Sequence, residues 1–121
     1  MTLAERRCRF TQFVGKLLTF ADVRGITCAI DEVKRSRAAA AANAATGAGI
    51  ANSLHTVGLA VDLLIFRKLD DGTWQYLNEG TEPEYRELAV YWKSLDSECA
   101  WGGDFSRPDP DHYSLATGGV R

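Results

Sequence analysis

The run from Leu59 to Phe66 constrains the fold most, because its residues, LAVDLLIF, are too apolar for a solvated edge strand and yet include one acid. In a buried strand, an unpaired carboxylate costs on the order of several kcal/mol, so Asp62 needs a proton, a cationic side chain or a metal beside it. Its face of the strand, shared with Ala60 and Leu64, carries no nearby Lys or Arg. Asp62 is therefore the first candidate for a functional residue.

The segments around this strand predict an α+β domain with a small central, mostly antiparallel sheet flanked by helices. Apolar residues at helical spacing predict helices over 3–20 and 84–95, and small helix-forming residues predict a third helix over 39–52. The turn signal Asp70-Asp71-Gly72 predicts a hairpin between the strand at 59–66 and a partner strand at 73–77. Further short strands are expected at 26–30 and, after a loop, at 112–115.

Length and charge limit the functions open to the chain. Its 121 residues suit one domain, residues 1–121, with a single core. Lys and Arg number 14 against 16 for Asp and Glu, so a formal net charge of -2 gives no electrostatic reason to expect nucleic acid as a partner. Basic residues interrupt every apolar run near the N-terminus, so we expect no signal peptide, no membrane anchor and synthesis in the cytoplasm.

The chain has only two histidines, His55 and His112, and each lies beside turn residues or acids. A lone histidine is more often a hydrogen-bonded structural residue than a metal ligand. Together with Asp62, however, the two imidazoles make the ligand set of a catalytic zinc site, in which three protein ligands leave a fourth position for water. A purely structural zinc site usually has a fourth protein ligand, and the sequence offers none that is obvious.

The segment 53–62, SLHTVGLAVD, resembles the SxHxxGxAxD motif of the zinc D-alanyl-D-alanine carboxypeptidase and L-alanyl-D-glutamate endopeptidase family, and it matches every specified position. Downstream, Asp109-Pro110-Asp111-His112 is similar to the family's second element, an acid and two residues before the third ligand histidine. The neighbouring stretches 101–103 and 113–115 resemble short phage-encoded members, including lysis enzymes. Residues 32–35 are similar to the segment that carries the family's substrate-facing arginine.

This resemblance implies a hedgehog/DD-peptidase-like fold that holds one zinc ion on His55, Asp62 and His112. It also implies that Asp109 is the general base toward a water activated by the metal. Asp111 is a rival for that role. We prefer Asp109 because Asp111, next to His112 on an extended segment, should point away from the metal.

The resemblance also implies residues that contact the substrate. Arg35 would bind the substrate and help to stabilise the oxyanion, although Arg37 lies two residues on and would point the same way. Ser53 would hydrogen-bond the substrate or orient a ligand. Trp101 is a candidate wall of the cleft, although large aromatic residues in a small domain are usually part of the core.

The activity implied is that of an endolysin, a peptidase that cuts peptidoglycan stem peptides at the L-alanyl-D-glutamate bond. D-alanyl-D-alanine carboxypeptidase activity is the alternative with the same metal and base. An alternative of another class is a module that binds wall peptide without cutting it and uses zinc only for stability. We expect a monomer, made in the host cytoplasm if phage-encoded, that reaches the wall after a separate membrane-permeabilising protein releases it.

Overall fold

The computed structural model describes residues 1–32 and 53–121, which form two helices, five strands and two short 3-10 turns. These are α1 (Leu3–Val23), β1 (Thr27–Glu32), a 3-10 turn (Leu54–Val57), β2 (Ala60–Lys68), β3 (Trp74–Tyr76), α2 (Pro83–Leu95), β4 (Cys99–Trp101), a 3-10 turn (Gly102–Asp104) and β5 (His112–Leu115). The two long helices and the hairpin are as predicted, whereas β4 lies where a loop was expected. The helix predicted over 39–52 lies outside the described residues.

The five strands form one sheet in the order β1-β2-β5-β4, and β3 pairs with the far end of β2. All of these pairs are antiparallel. This confirms the predicted α+β class with a small antiparallel sheet. Strand β2 is central, since it pairs with three of the other strands, and its residue Asp62 lies directly opposite His112 of β5.

Both helices begin at sequence signals and pack on the same face of the sheet. Thr2 and Glu5 form a capping box at the start of α1, and Pro83 occupies the first turn of α2. The indole of Trp92 in α2 is fully buried, and its edges meet the rings of Phe10 in α1 and Tyr113 in β5, each with centroids 5.9 Å apart. The aromatic contacts therefore tie both helices to the strand that carries His112.

Alternation along β2 gives the sheet two different faces. Val61, Leu63 and Ile65 are buried in the core beneath the helices. The residues between them, Asp62, Leu64 and Phe66, point to the opposite face and are only half-buried. We call this opposite face the site face, because it carries the acid.

Within residues 1–32 and 53–121, neither helix has an apolar stretch long enough to cross a bilayer.

Candidate metal centre

Three side chains from separate elements converge on one point of the site face. His55 comes from the 3-10 turn before β2, Asp62 from β2 itself and His112 from the start of β5. Oδ1 of Asp62 lies 3.3 Å from Nε2 of His55 and 3.5 Å from Nδ1 of His112, and the three candidate ligand atoms lie within 4.8 Å of one another. The structure therefore brings together the residues that the sequence predicts as ligands.

These spacings fit a tetrahedral zinc ion. Zinc binds imidazole nitrogen and carboxylate oxygen at about 2.0–2.2 Å, so neighbouring ligand atoms in a tetrahedron lie about 3.3–3.5 Å apart. The two distances to Asp62 match that edge length. Three such donors leave one corner of the tetrahedron for water or substrate, as in catalytic zinc sites.

Two polar atoms of the cluster, one on Asp62 and one on His112, are buried without the hydrogen bonds that burial normally demands. Both imidazoles are less than 10% exposed, and neither Oδ1 of Asp62 nor Nε2 of His112 makes a well-oriented hydrogen bond within the described part of the chain. Burial alone would raise the pKa of Asp62, but its contacts with His112 and His55 outweigh burial and hold that pKa below its ordinary value. An ionised carboxylate between two imidazoles is well suited to a divalent cation.

The fixed positions of the motif each have a local structural reason. The Oγ atom of Ser53 accepts the N–H of His55 at 3.2 Å and caps the 3-10 turn, so Ser53 orients the segment that carries a ligand. Gly58 ends that turn in the left-handed region, at φ 74°, which glycine adopts without strain. Ala60 is fully buried opposite Ser114 at the point where β2 begins to pair with β5. Asp62, two residues on, therefore points to the same face as Ala60.

A tight turn explains the spacing between Asp109 and His112. The N–H of His112 donates to the carbonyl of Asp109 at 3.0 Å, which closes a four-residue turn with Pro110 at its second position, where proline is favoured. The first and last residues of such a turn lie within about 7 Å of each other at their Cα atoms. Asp109 is exposed, so the turn holds a solvent-accessible carboxylate beside a buried candidate ligand.

Gly102 packs closely against this turn and forms a backbone hydrogen bond with it. The N–H of Asp109 donates to the carbonyl of Gly102 at 2.9 Å. A Cβ atom at residue 102 would overlap the carbonyl oxygen of Asp109 and lie 2.7 Å from Cβ of His112. Only glycine therefore allows the 3-10 turn to pack this closely against the segment 109–112.

We expect Gly102→Ala to lower zinc affinity by at least about tenfold, because the added methyl group must displace the segment that carries His112. The overpacking should also destabilise the fold by about 1–3 kcal/mol. Zinc titration and denaturant unfolding measure the two effects. Gly15→Ala in α1 is the control, because nothing lies within 4 Å of the added Cβ atom. This variant should keep the zinc affinity of the wild type, and its free energy of unfolding should rise by about 0.5–1 kcal/mol. A Gly102→Ala variant that binds zinc as tightly as the wild type would show that this contact is unimportant.

Asp111, the rival base, has partners that tie it to the scaffold. Its Oδ1 atom lies 3.0 Å from the hydroxyl of Tyr85, which is 1% exposed, and its carbonyl accepts the N–H of Leu63 at 2.9 Å. Burial raises the pKa of Asp111, and the hydrogen bond from Tyr85 opposes that rise. These contacts give Asp111 a structural role and support the choice of Asp109.

The remaining predicted residues are not brought to the cluster by any described contact. Trp101 lies in register with Tyr113, so its side chain lies on the helix-covered face, where it packs against the core and donates to the carbonyl of Pro110 at 2.7 Å. Its contact with substrate stays a prediction. Arg35 and Arg37 lie outside the described residues.

Phe105 is a neighbour of the cluster that the sequence did not single out. Its ring packs against the imidazole of His112 with centroids 5.4 Å apart, and the guanidinium carbon of Arg121 lies 4.5 Å from the centroid of the Phe105 ring. Phe105 follows the 3-10 turn at Gly102–Asp104 in an irregular segment, so no periodic pattern marks it. It shields one side of a candidate ligand.

Comparisons with known proteins give a family and a similar fold. A family model described as D-alanyl-D-alanine carboxypeptidase matches residues 46–115, more than half of the chain. No curated protein sequence matches it. Among solved structures, that of the L-Ala D-Glu endopeptidase ChiX from Serratia marcescens is similar, with a TM-score of 0.64 and 21% identity over 88% of this chain and 79% of that one. At that identity, the similarity shows the fold alone.

Proposed function

Because this chain belongs to the D-alanyl-D-alanine carboxypeptidase family of peptidases, we propose that it is a zinc-dependent peptidase that hydrolyses the L-alanyl-D-glutamate bond of peptidoglycan stem peptides. The observation that carries the proposal is the convergence of His55 and His112 on the Oδ1 atom of Asp62, at 3.3 and 3.5 Å. Two imidazoles and one carboxylate are donors that suit zinc. When bound, zinc supplies Lewis-acid chemistry that polarises a carbonyl and makes water nucleophilic near neutral pH.

In this proposal, the general base is Asp109. Its exposed carboxylate, placed beside His112 by the turn, takes a proton from the attacking water as the new C–O bond forms. It then gives that proton to the leaving amine as the C–N bond breaks. Arg35, with Arg37 as its rival, is proposed to face the developing oxyanion, on the strength of the sequence resemblance.

The bond that is cut is the finer part of the proposal. The similar fold of an L-Ala D-Glu endopeptidase supports cleavage of the first peptide bond of the stem. The description of the matched family supports cleavage of the terminal D-alanyl-D-alanine bond instead. Intact peptidoglycan and a defined pentapeptide separate the two. New amino termini on glutamate in digested peptidoglycan would support the endopeptidase, and release of free D-alanine from the pentapeptide would support the carboxypeptidase instead.

Further parts of the proposal rest on the sequence resemblance. These are an origin in a bacteriophage, a role in lysis, and passage to the wall through a membrane opened by another protein. A module that binds wall peptide without cutting it would have no use for an exposed acid three residues before a ligand, so replacement of Asp109 distinguishes it from an enzyme.

A further inference from the structure

The four-residue turn that begins at Asp109 and ends at His112 carries the proposed general base at one end and a candidate ligand at the other. Its middle peptide group joins Pro110 to Asp111, and the orientation of that group distinguishes the common types of β-turn. The carbonyl of the second residue points to one side in a type I turn and to the other side in a type II turn. The direction of the Pro110 carbonyl therefore reports the conformation of the whole turn.

The residues of the turn are compatible with both types. Proline is common at the second position of either type, because both need the same φ there. Type II also needs a positive φ at the third position, and aspartate is among the few residues other than glycine that adopt such values. Within residues 1–32 and 53–121, only glycines have a positive φ, so the turn is not of type II. A contact from outside the turn can therefore select between conformations that its own residues permit.

Trp101 makes such a contact. Its indole N–H donates to the carbonyl of Pro110 at 2.7 Å. The ring that donates is itself held in place, because a Cβ atom at residue 103 would overlap it, so the backbone of Gly103 lies directly against the indole. The ammonium of Lys93 lies 5.9 Å from the centroid of the same ring, within the range of a cation–π contact. A donor fixed in this way opposes rotation of the middle peptide group.

Other contacts hold the two middle residues without fixing the direction of that carbonyl. A Cβ atom at residue 80 would overlap the ring of Pro110, so the backbone of Gly80 packs against the proline. The hydroxyl of Tyr85 lies 3.0 Å from Oδ1 of Asp111. Neither contact involves the carbonyl of Pro110, so the orientation of the middle peptide group depends on Trp101.

We infer that Trp101 is a positioning residue, whose indole N–H fixes the conformation of the turn that holds Asp109 beside the metal cluster. The catalytic consequence rests on the proposed function, in which Asp109 is the general base. A misplacement of about 1 Å can lower the rate of an enzyme by about 100-fold, so a turn with a mobile middle peptide group should be a poorer catalyst. His112 should stay in place, because its pairing with Asp62 does not involve Trp101.

Trp101→Phe tests this inference, because it keeps a large ring and removes the N–H donor. We expect kcat on stem-peptide substrates to fall about 10–100-fold, with KM and zinc affinity nearly unchanged. Hydrogen exchange at the backbone N–H groups of Asp109 and His112 should become at least about tenfold faster, because the turn opens locally. Nuclear magnetic resonance measures the exchange, and thermal unfolding shows that the variant is folded.

Trp92→Phe is the matched control. It removes an indole N–H that donates to the carbonyl of Ala100 in β4, at 3.0 Å, rather than to the turn. Because Trp92 is fully buried, this variant should lose at least as much stability as Trp101→Phe, and it should nevertheless keep kcat and both exchange rates. An equal loss of kcat in the two variants, or unchanged exchange in Trp101→Phe, would overturn the inference.

A measurement on the wild type tests the hydrogen bond without any substitution or activity. The indole N–H of Trp101 should exchange with heavy water much more slowly than that of Trp74, whose side chain belongs to a residue that is 61% exposed. Exchange of the Trp101 indole as fast as that of Trp74 would overturn the inference. Failure of the zinc-loaded wild type to cut stem peptides would overturn the proposed function instead, and the exchange rates would still decide whether Trp101 holds the turn.

Discussion

Asp109→Asn is expected to lower kcat on stem-peptide substrates by about 10²–10⁴-fold, the usual contribution of a general acid–base residue. The amide cannot take a proton from the attacking water, but it nearly preserves the shape of the side chain. Zinc binding should be unchanged, because Asp109 is not among the clustered ligands. Steady-state kinetics on protein with measured zinc content tests both statements.

Two controls accompany that variant. Asp111→Asn keeps an acceptor for the hydroxyl of Tyr85 and should retain activity within about tenfold, because it removes no general base. Asp104→Asn changes an acid in an exposed ion pair with Lys93 and should have little effect. A large loss in Asp111→Asn with normal activity in Asp109→Asn would reverse the assignment. If all three variants are as active as the wild type, none of these carboxylates acts as the general base.

Asp62→Ala is expected to abolish zinc binding at neutral pH and, with it, peptidase activity. Even partners that only orient metal ligands contribute 10–100-fold to affinity, so removal of a ligand should cost more than about 100-fold. At a zinc concentration 100 times the wild-type dissociation constant, zinc should stabilise the wild type by about 2.7 kcal/mol and the variant hardly at all. Thermal unfolding with and without zinc measures this without reference to activity.

The matched control for this change is Asp104→Ala. It removes an acid of the same size from the exposed pair with Lys93, and it should keep both zinc binding and zinc-dependent stabilisation. An Asp62→Ala variant that is stabilised by zinc as much as the wild type would show that the metal binds elsewhere.

Two of the three candidate ligands could be predicted from a short stretch of sequence. His55 and Asp62 lie within one short motif, in which a serine cap, a left-handed glycine and strand alternation fix the geometry over ten residues. The approach of His112 depends on the pairing of β2 with β5, fifty residues apart. Local periodicity cannot specify that register, so His112 followed from ligand chemistry and from the family motif.

The features that could not be predicted from the sequence are a very short strand and contacts between residues that are distant in the sequence. Strand β4 has three residues beside two glycines, too few to show alternation, and it was predicted as part of a loop. Because β4 was not predicted, the sequence also could not say which face of the sheet Trp101 occupies, whereas its contact with substrate stays a prediction. Its register with Tyr113 places it on the packed face. The close approach of Gly102 to the segment 109–112 likewise exists only in the folded chain.

The most direct test of the central claim is digestion of purified peptidoglycan by three forms of the protein: zinc-loaded, stripped with a chelator, and restored with zinc. Mass spectrometry of the fragments and labelling of new amino termini identify any bond that is cut. The proposed mechanism predicts new termini on stem peptides with the loaded and restored forms and none with the stripped form. Absence of cleavage by folded, zinc-loaded protein, or equal cleavage after the metal is removed, would contradict it.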